Sequence, residues 1–173
     1  ARGAVDILVN NAGGALPGAR WSAVADTTLE DWEGFLRLNL TSAFLCARAV
    51  LPGMLSRGRG HIVAVGSISG TNGQVNGAAY AAAKAGLTAL VASIAKEYGR
   101  RGVSSNGIIV GNAPFPGRTE TRQKELDRAV HLARVGQYEE FASAIAFLCS
   151  QDASYLSGAM IPVDGGFHRS NFL

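Results

Sequence analysis

The 173-residue sequence holds only two cysteines, Cys46 and Cys149, and three histidines scattered at 61, 131 and 168. Two thiols cannot build the disulfide framework of a small secreted domain, and without a spaced Cys/His set no metal site is expected. Both cysteines sit in apolar helical patterns. They are expected as buried free thiols in a reducing, cytoplasmic setting. Charge is sparse too: 17% of residues are charged and the net charge is +3. No run of Lys and Arg concentrates that excess, so nucleic acid is not an expected partner. No leader pattern and no apolar run long enough to span a bilayer stand out, so no membrane partner is expected either. Asn39-Leu40-Thr41 matches a glycosylation acceptor, but nothing else suggests secretion and the match is read as chance. Repeats, linkers and low-complexity tracts are absent. There is no initiator Met, and Ala1-Arg2-Gly3 runs almost directly into an apolar stretch, as though cut from a longer chain.

What is present is enough apolar material to fill a core, 47% of residues, together with 22 glycines. Val5–Val9 reads as a buried strand stopped by Asn10-Asn11-Ala12-Gly13-Gly14. Thr28 is an N-cap with Asp31 three residues on, a capping box using Asp for Glu. Helical spacing then runs from Trp32 to Leu51, and Pro52-Gly53 disturbs it near its end. His61–Val65 is a second strand, ending at Gly66-Ser67. A Gly-rich stretch leads into an Ala-rich helix over Ala78–Tyr98, closed by Gly102. Val103–Val110 is a third strand, followed by an irregular segment to Arg118. Gln123–Leu132 predicts a short helix over the site, Glu139–Ser150 an amphipathic helix, and Met160–Val163 a last strand. Strands alternating with helices imply an α/β fold with a parallel sheet covered on both faces.

Tyr80 and Lys84 stand four apart on the long helix, hence on one face and about one turn apart. A phenol has a free pKa of about 10, too high for easy proton exchange at neutral pH. A neighbouring ammonium is expected to lower it and make Tyr80 a usable acid or base. Ser67 lies just past a strand end, where open parallel sheets place ligands, 13 residues before Tyr80. Its hydroxyl can hold a substrate oxygen. Asn39 interrupts the apolar run of Leu36, Leu38 and Leu40 inside a helix; a buried amide there needs partners, and it can kink the helix and hold a water near Lys84. The small residues of Asn10-Asn11-Ala12-Gly13 let a flat ligand approach the backbone.

In this order, Asn-Asn-Ala-Gly, the Asn of an Asn-Leu step, Ser and Tyr-x-x-x-Lys resemble the short-chain dehydrogenase/reductase family, and within it members like the 3-oxoacyl-ACP reductases. The tail, from Glu139-Glu140-Phe141-Ala142 through Ala153-Ser154-Tyr155-Leu156-Ser157-Gly158 to Val163-Asp164-Gly165-Gly166, is similar as well. The resemblance implies an NAD(P)-dependent oxidoreductase moving a hydride between NAD or NADP and a ketone or secondary alcohol. Tyr80 is implied as acid/base, Lys84 as the group that tunes it and holds the nicotinamide ribose, Ser67 as the group orienting the reacting oxygen, and Asn39 as anchor of a water linked to Lys84. Asn11, Ala12 and Gly13 would line the cofactor near its ribose, and Gly111 and Ala113 would touch the nicotinamide. A homotetramer or homodimer through the Asn39 and Tyr80 helices is implied too.

The implied fold is a Rossmann-like doubly wound sheet, of which residues 1–173 supply one partial domain, the last four strands of about seven. The first βαβαβ half, with its Gly-rich pyrophosphate turn and the residue that selects NAD or NADP, has no counterpart here. Gly70, Gly73 and Gly77 have the wrong spacing to replace it. Val5–Val9 is then expected to leave one sheet edge bare, and this polypeptide alone to bind cofactor poorly. The alternative is a non-catalytic relative or fragment serving as a binding or assembly module. Val110-Gly111 stands where the family often has Pro-Gly, the family's usual Thr after it is missing, and Gln137-Tyr138 is expected to weaken a helix start. The substrate, oxoacyl thioester, sugar or cyclic alcohol, stays open.

Overall fold

The computed structural model describes residues 4–115 and 117–169; Ala1-Arg2-Gly3, part of the expected truncated opening, and Pro116, in the expected irregular segment, lie outside them. Four strands form a parallel sheet in the order β1 (Ile7–Asn10), β2 (Gly60–Ser67), β3 (Val103–Val110) and β4 (Met160–Val163). Parallel neighbours need a crossover between them, and here helices supply it. α1 (Leu29–Leu36), a π turn (Arg37–Thr41) and α2 (Ser42–Arg57) join β1 to β2 as one continuous helical run. The short α3 (Ser69–Asn72) and the long α4 (Ala78–Tyr98) join β2 to β3, and α5 (Glu120–Ala129) and α6 (Tyr138–Leu148) lead to β4.

The two faces of the sheet hold separate cores. On one, Ile62 and Val103 pack against Ala47 and Met54 of α2 and Ile94 of α4. On the other, Val63 and Ile108 pack against Phe141 and Leu148 of α6. Asn106, 1% exposed, ties down the strand that follows: its amide donates to the Leu156 carbonyl at 2.8 Å and its oxygen accepts the Ala159 N–H at 3.1 Å. Along β1 the expected bare edge is present. Among the described residues β1 pairs with β2 alone, and Ile7 and Val9 remain 46% and 38% exposed.

Several local readings need correction. Thr28 caps α1 as expected, its hydroxyl accepting the Asp31 N–H at 3.1 Å. Pro52 does not end α2, which continues to Arg57 and closes on Gly58 in the left-handed region at φ 64°. Pro52 is exposed, so the carbonyl it leaves unpaired one turn earlier meets water. α5 starts at Glu120 because Thr119 caps it, accepting the Arg122 N–H at 3.2 Å. No residue of α5 is buried. The start of α6 is not weakened: Glu140 accepts the Gln137 N–H at 2.7 Å and is clamped by both terminal nitrogens of Arg134 at 2.6 and 2.8 Å. Those contacts hold its carboxyl down at about 2.

The cysteines are not buried as expected. Cys46 is exposed and Cys149 half-buried. Apolar residues of α2 lie on its exposed side as well as its core side, so an apolar neighbourhood does not mark which side is buried. Ala43, Ala47 and Met54 face inward, while Phe44 and Leu45 stay 46% and 51% exposed. The same composition overturns the expectation about long apolar runs: Leu29–Arg57 and Ala78–Arg101 are each long and apolar enough to cross a membrane by length and composition. In this fold both are crossover helices packed on the sheet.

Candidate active site

Parallel strands bring their carboxyl ends to one edge of the sheet, and the residues singled out by sequence lie along it. Asn11, Ala12 and Gly13 follow β1 and are exposed. Ser67 ends β2 in register with Val110, the last residue of β3. Gly111 comes next.

Ser67 and Tyr80 meet. The Ser67 hydroxyl accepts the Ser69 N–H at 3.2 Å, so its own proton is free to donate, and it lies close enough to the Tyr80 hydroxyl to favour the phenolate. The Gly-rich stretch makes this approach possible. A Cβ on Gly70 would lie 2.8 Å from the backbone of Lys84 and of Ala85, so α3 closes onto α4 only because residue 70 has none. Lys84, 6% exposed, lies one turn along α4. Its ammonium donates to the Val65 carbonyl at 2.9 Å and stands 5.7 Å from the centre of the Tyr80 ring.

Asn39 sits in the π turn, 1% exposed. Its Oδ1 accepts the Gly14 N–H at 2.7 Å, and its Nδ2 donates to Gly14 O at 3.0 Å and to Phe35 O at 3.1 Å. Three of the four bonding positions of the amide are thereby taken by backbone. The side chain pins the loop after β1 to the helix, and this π turn is the interruption expected at Asn39. A Cβ on Gly13, whose φ is 153°, would come within 2.7 Å of Asn39 Oδ1 and 3.4 Å of Lys84 Nζ. Asn39, Gly13 and Lys84 therefore form one cluster with Tyr80 and Ser67.

Gly111 and Ala113 are on the same edge without a contact to that cluster. Gly111 is small because a Cβ would sit 2.5 Å from Asp164 Cβ. Ala113 packs into the α6-side core.

Burial and not charge sets the phenol. Tyr80 stands above its usual value because burial disfavours the phenolate, with the Ser67 contact pulling the other way. This corrects the expectation that the adjacent ammonium lowers it. Lys84 is itself shifted, down from 10.5 to about 8, by burial. The sign of its effect on stability follows. Below pH 8 both folded and unfolded chains hold the proton, and the folded state bears the cost of burying it. Between about pH 8 and 10 the folded chain releases it first, so stability rises with pH, by up to roughly 3 kcal/mol over the full shift. Because Tyr80 and Cys149 are shifted up and cost stability as pH rises, urea midpoints measured across that window should climb with pH in the native chain relative to Lys84→Met.

One residue of the cluster had no sequence signal beyond being a large aromatic in a Gly/Pro loop. Trp21 stands edge-on to Tyr80, ring centres 5.6 Å apart, and to Phe35 at 5.2 Å.

The cluster fits one end of a dinucleotide. Lys84 shows one protein acceptor for its three donors, beside the exposed backbone of residues 11–13, an arrangement suited to ribose hydroxyls. No Gly-rich turn between a strand and a helix N-terminus, the usual pyrophosphate seat, occurs among the described residues.

Comparison with known proteins agrees with the geometry. A family model described as enoyl-(acyl carrier protein) reductase matches residues 1–168. The 3-oxoacyl-(acyl-carrier-protein) reductase FabG of Vibrio cholerae is 40% identical over 170 residues, 96% of this chain and 68% of that one. The 3-oxoacyl-(acyl-carrier-protein) reductase of a Synechocystis species is 37% identical over 94% of this chain and 64% of its own. Among solved structures, an oxidoreductase of the short-chain dehydrogenase/reductase family from Burkholderia thailandensis matches with a TM-score of 0.88 at 38% identity, over 96% of this chain and 66% of that one. A gluconate 5-dehydrogenase from Burkholderia cenocepacia, in complex with NADP and tartrate, matches with a TM-score of 0.91 at 29% identity, over 98% and 67%. The chain thus spans about two thirds of the length of the relatives it matches. With its four-stranded parallel sheet, its serine-tyrosine-lysine cluster and these relatives, the chain belongs to the short-chain dehydrogenase/reductase family.

Proposed function

We propose that this chain is the catalytic part of an NAD(P)-dependent oxidoreductase acting on a ketone or secondary alcohol. The observation that carries the reading is the phenol of Tyr80 near the Ser67 hydroxyl and beside the buried Lys84. A bound nicotinamide supplies or accepts the hydride. Ser67 donates a hydrogen bond to the substrate oxygen and holds it at the Tyr80 hydroxyl. In the reducing direction Tyr80 gives its proton to that oxygen, and in the oxidising direction it takes the proton of the alcohol. A phenol kept protonated by burial suits the first role at neutral pH. Lys84 holds the ribose, with Asn11, Ala12 and Gly13 beside it and Gly111 and Ala113 further along the edge. Asn39 keeps the Gly13–Gly14 loop in place, and a water on its remaining lone pair would connect Lys84 to solvent.

The carbonyl reading is preferred to reduction of a carbon–carbon double bond because both Ser67 and Tyr80 present O–H groups suited to a reacting oxygen. The 3-oxoacyl reductases among the relatives point to an oxoacyl thioester, and the NADP held by the gluconate 5-dehydrogenase points to NADP or NAD. Residues 1–173 would form one partial domain of a cytoplasmic enzyme. Exposed Phe44 and Leu45 on α2 support a homodimer or homotetramer through the Asn39 and Tyr80 helices. A purely binding or assembly role is disfavoured, because the chain carries Asn39, Ser67, Tyr80 and Lys84 and its relatives are oxidoreductases. The test is a cofactor-linked screen of the full-length protein against oxoacyl thioesters, keto sugars and cyclic ketones. Turnover of at least one ketone is expected; no oxidation of NADPH or NADH with any of them would sink the reading.

A further inference from the structure

Nothing in the assigned chemistry accounts for Trp21. It lies in the loop between β1 and α1, 41% exposed, where an indole would ordinarily be left to solvent or replaced. Instead it is held from three sides. Its ring is edge-on to Phe35 at 5.2 Å and to Tyr80 at 5.6 Å. A Cβ on Gly77, at the start of α4, would come within 2.7 Å of the indole, so residue 77 is small where the ring lies. Phe35 is 3% exposed, and its carbonyl accepts the Asn39 amide. The aromatic chain Phe35–Trp21–Tyr80 therefore ties the π turn of Asn39 to the phenol across the cluster.

We propose that Trp21 is a positioning residue of the Tyr80 site, holding the phenol ring against Ser67 and offering the exposed part of its indole as an apolar wall for the carbon skeleton next to the substrate's reacting oxygen. This rests on the function proposed above. The physics is that of edge-to-face aromatic packing, which fixes ring orientation more tightly than aliphatic contact. Tyr80 has rotational freedom that the polar contact of its hydroxyl with Ser67 does not remove. The indole supplies the second constraint. It also removes water from one side of the phenol. The other groups at the ring are Lys84 on its own helix and Ser67 from β2. Trp21 itself carries no charge, so its influence on the phenol is exclusion of solvent and not a field.

Two measurements separate this inference from the functional reading beneath it. The first needs no turnover: ultraviolet titration of the phenolate, with Tyr80→Phe subtracted to isolate Tyr80 from the other tyrosines. In Trp21→Ala the Tyr80 titration should move down toward the free-phenol value, and Trp21→Phe should hold it near the native position. An unmoved titration in folded Trp21→Ala overturns the proposal even if the protein is an active reductase. Should Trp21→Ala fail to fold, Trp21→Leu is read in its place; its smaller side chain lets water reach the phenol and should shift the titration in the same direction by less. The second measurement is steady-state kinetics of the full-length protein with an oxoacyl substrate. Trp21→Ala should lower kcat by about 10²-fold, as a small misplacement of a reacting group does, and raise KM; Trp21→Phe should recover most of kcat. A raised KM with kcat unchanged would leave the indole as a wall alone and overturn the positioning role. A native protein without turnover would defeat the functional reading while leaving the titration result intact.

Discussion

Tyr80→Phe should lower kcat of the full-length protein by about 10²–10⁴-fold, the usual contribution of a positioned acid or base, with little change in cofactor affinity. The substitution removes one oxygen and leaves the ring. Packing against Trp21 and the approach of Lys84 depend on the ring, so they should survive. The structural loss is at most one polar contact with Ser67, no more than about 0.5–1.5 kcal/mol of stability, too little to unfold the chain. A large fall in kcat in a protein that still unfolds near its native urea midpoint therefore isolates the proton. Retention of more than a tenth of native activity by Tyr80→Phe would assign proton transfer to another group.

The second large effect is on stability. Met54 is fully buried and joins α2 to β2 in the core between helices and sheet. Met54→Ala should cost about 2–5 kcal/mol, read as a shift in urea midpoint. Its neighbour sharpens the prediction. The three atoms nearest to a Cβ on Gly60, the first residue of β2, would all belong to Met54: Sδ at 2.5 Å, Cγ at 2.6 Å and Cβ at 2.8 Å. Gly60→Ala alone should therefore destabilise by overpacking. With Met54→Ala already in place, the two nearest of those three atoms are gone, and only the close contact with Cβ remains to be relaxed. The double substitution should be more stable than the sum of the single ones by about 0.5–3 kcal/mol. Strict additivity would mean that the helix has moved away from the strand and that this core is looser than the structure has it.

The sheet and its crossovers were legible because each strand is a short apolar run between turn residues and each crossover carries helical spacing. The cluster was legible for a related reason: Ser67 at a strand end, and Tyr80 and Lys84 one turn apart, are placed by local geometry alone. What sequence could not supply depends on neighbours distant in the chain. The direction of the Tyr80 shift is one case, since the four-residue spacing announces the ammonium but not the burial that outweighs it. Cys46 and the apparent membrane-length helices are another, since helices with apolar residues on both sides do not say which side meets the sheet. Gly70 and Gly77 carry no cofactor signal, yet their smallness is demanded by α4 and Trp21 respectively. Pro52 and Thr119 moved helix ends because exposure and a cap decide boundaries that periodicity leaves open. Trp21, in an irregular loop, had no period to reveal what it faces.

On the proposed function, this edge of the sheet carries out carbonyl reduction with Tyr80 as proton donor. The most direct measurement is to supply the full-length protein with nicotinamide cofactor bearing deuterium on its transferable carbon, together with a ketone, and to locate the label by mass spectrometry. The account predicts deuterium on the carbinol carbon of the product, formed by the native protein and nearly abolished in Tyr80→Phe. Product without deuterium on that carbon, or equal labelling by the Tyr80→Phe protein, would contradict it.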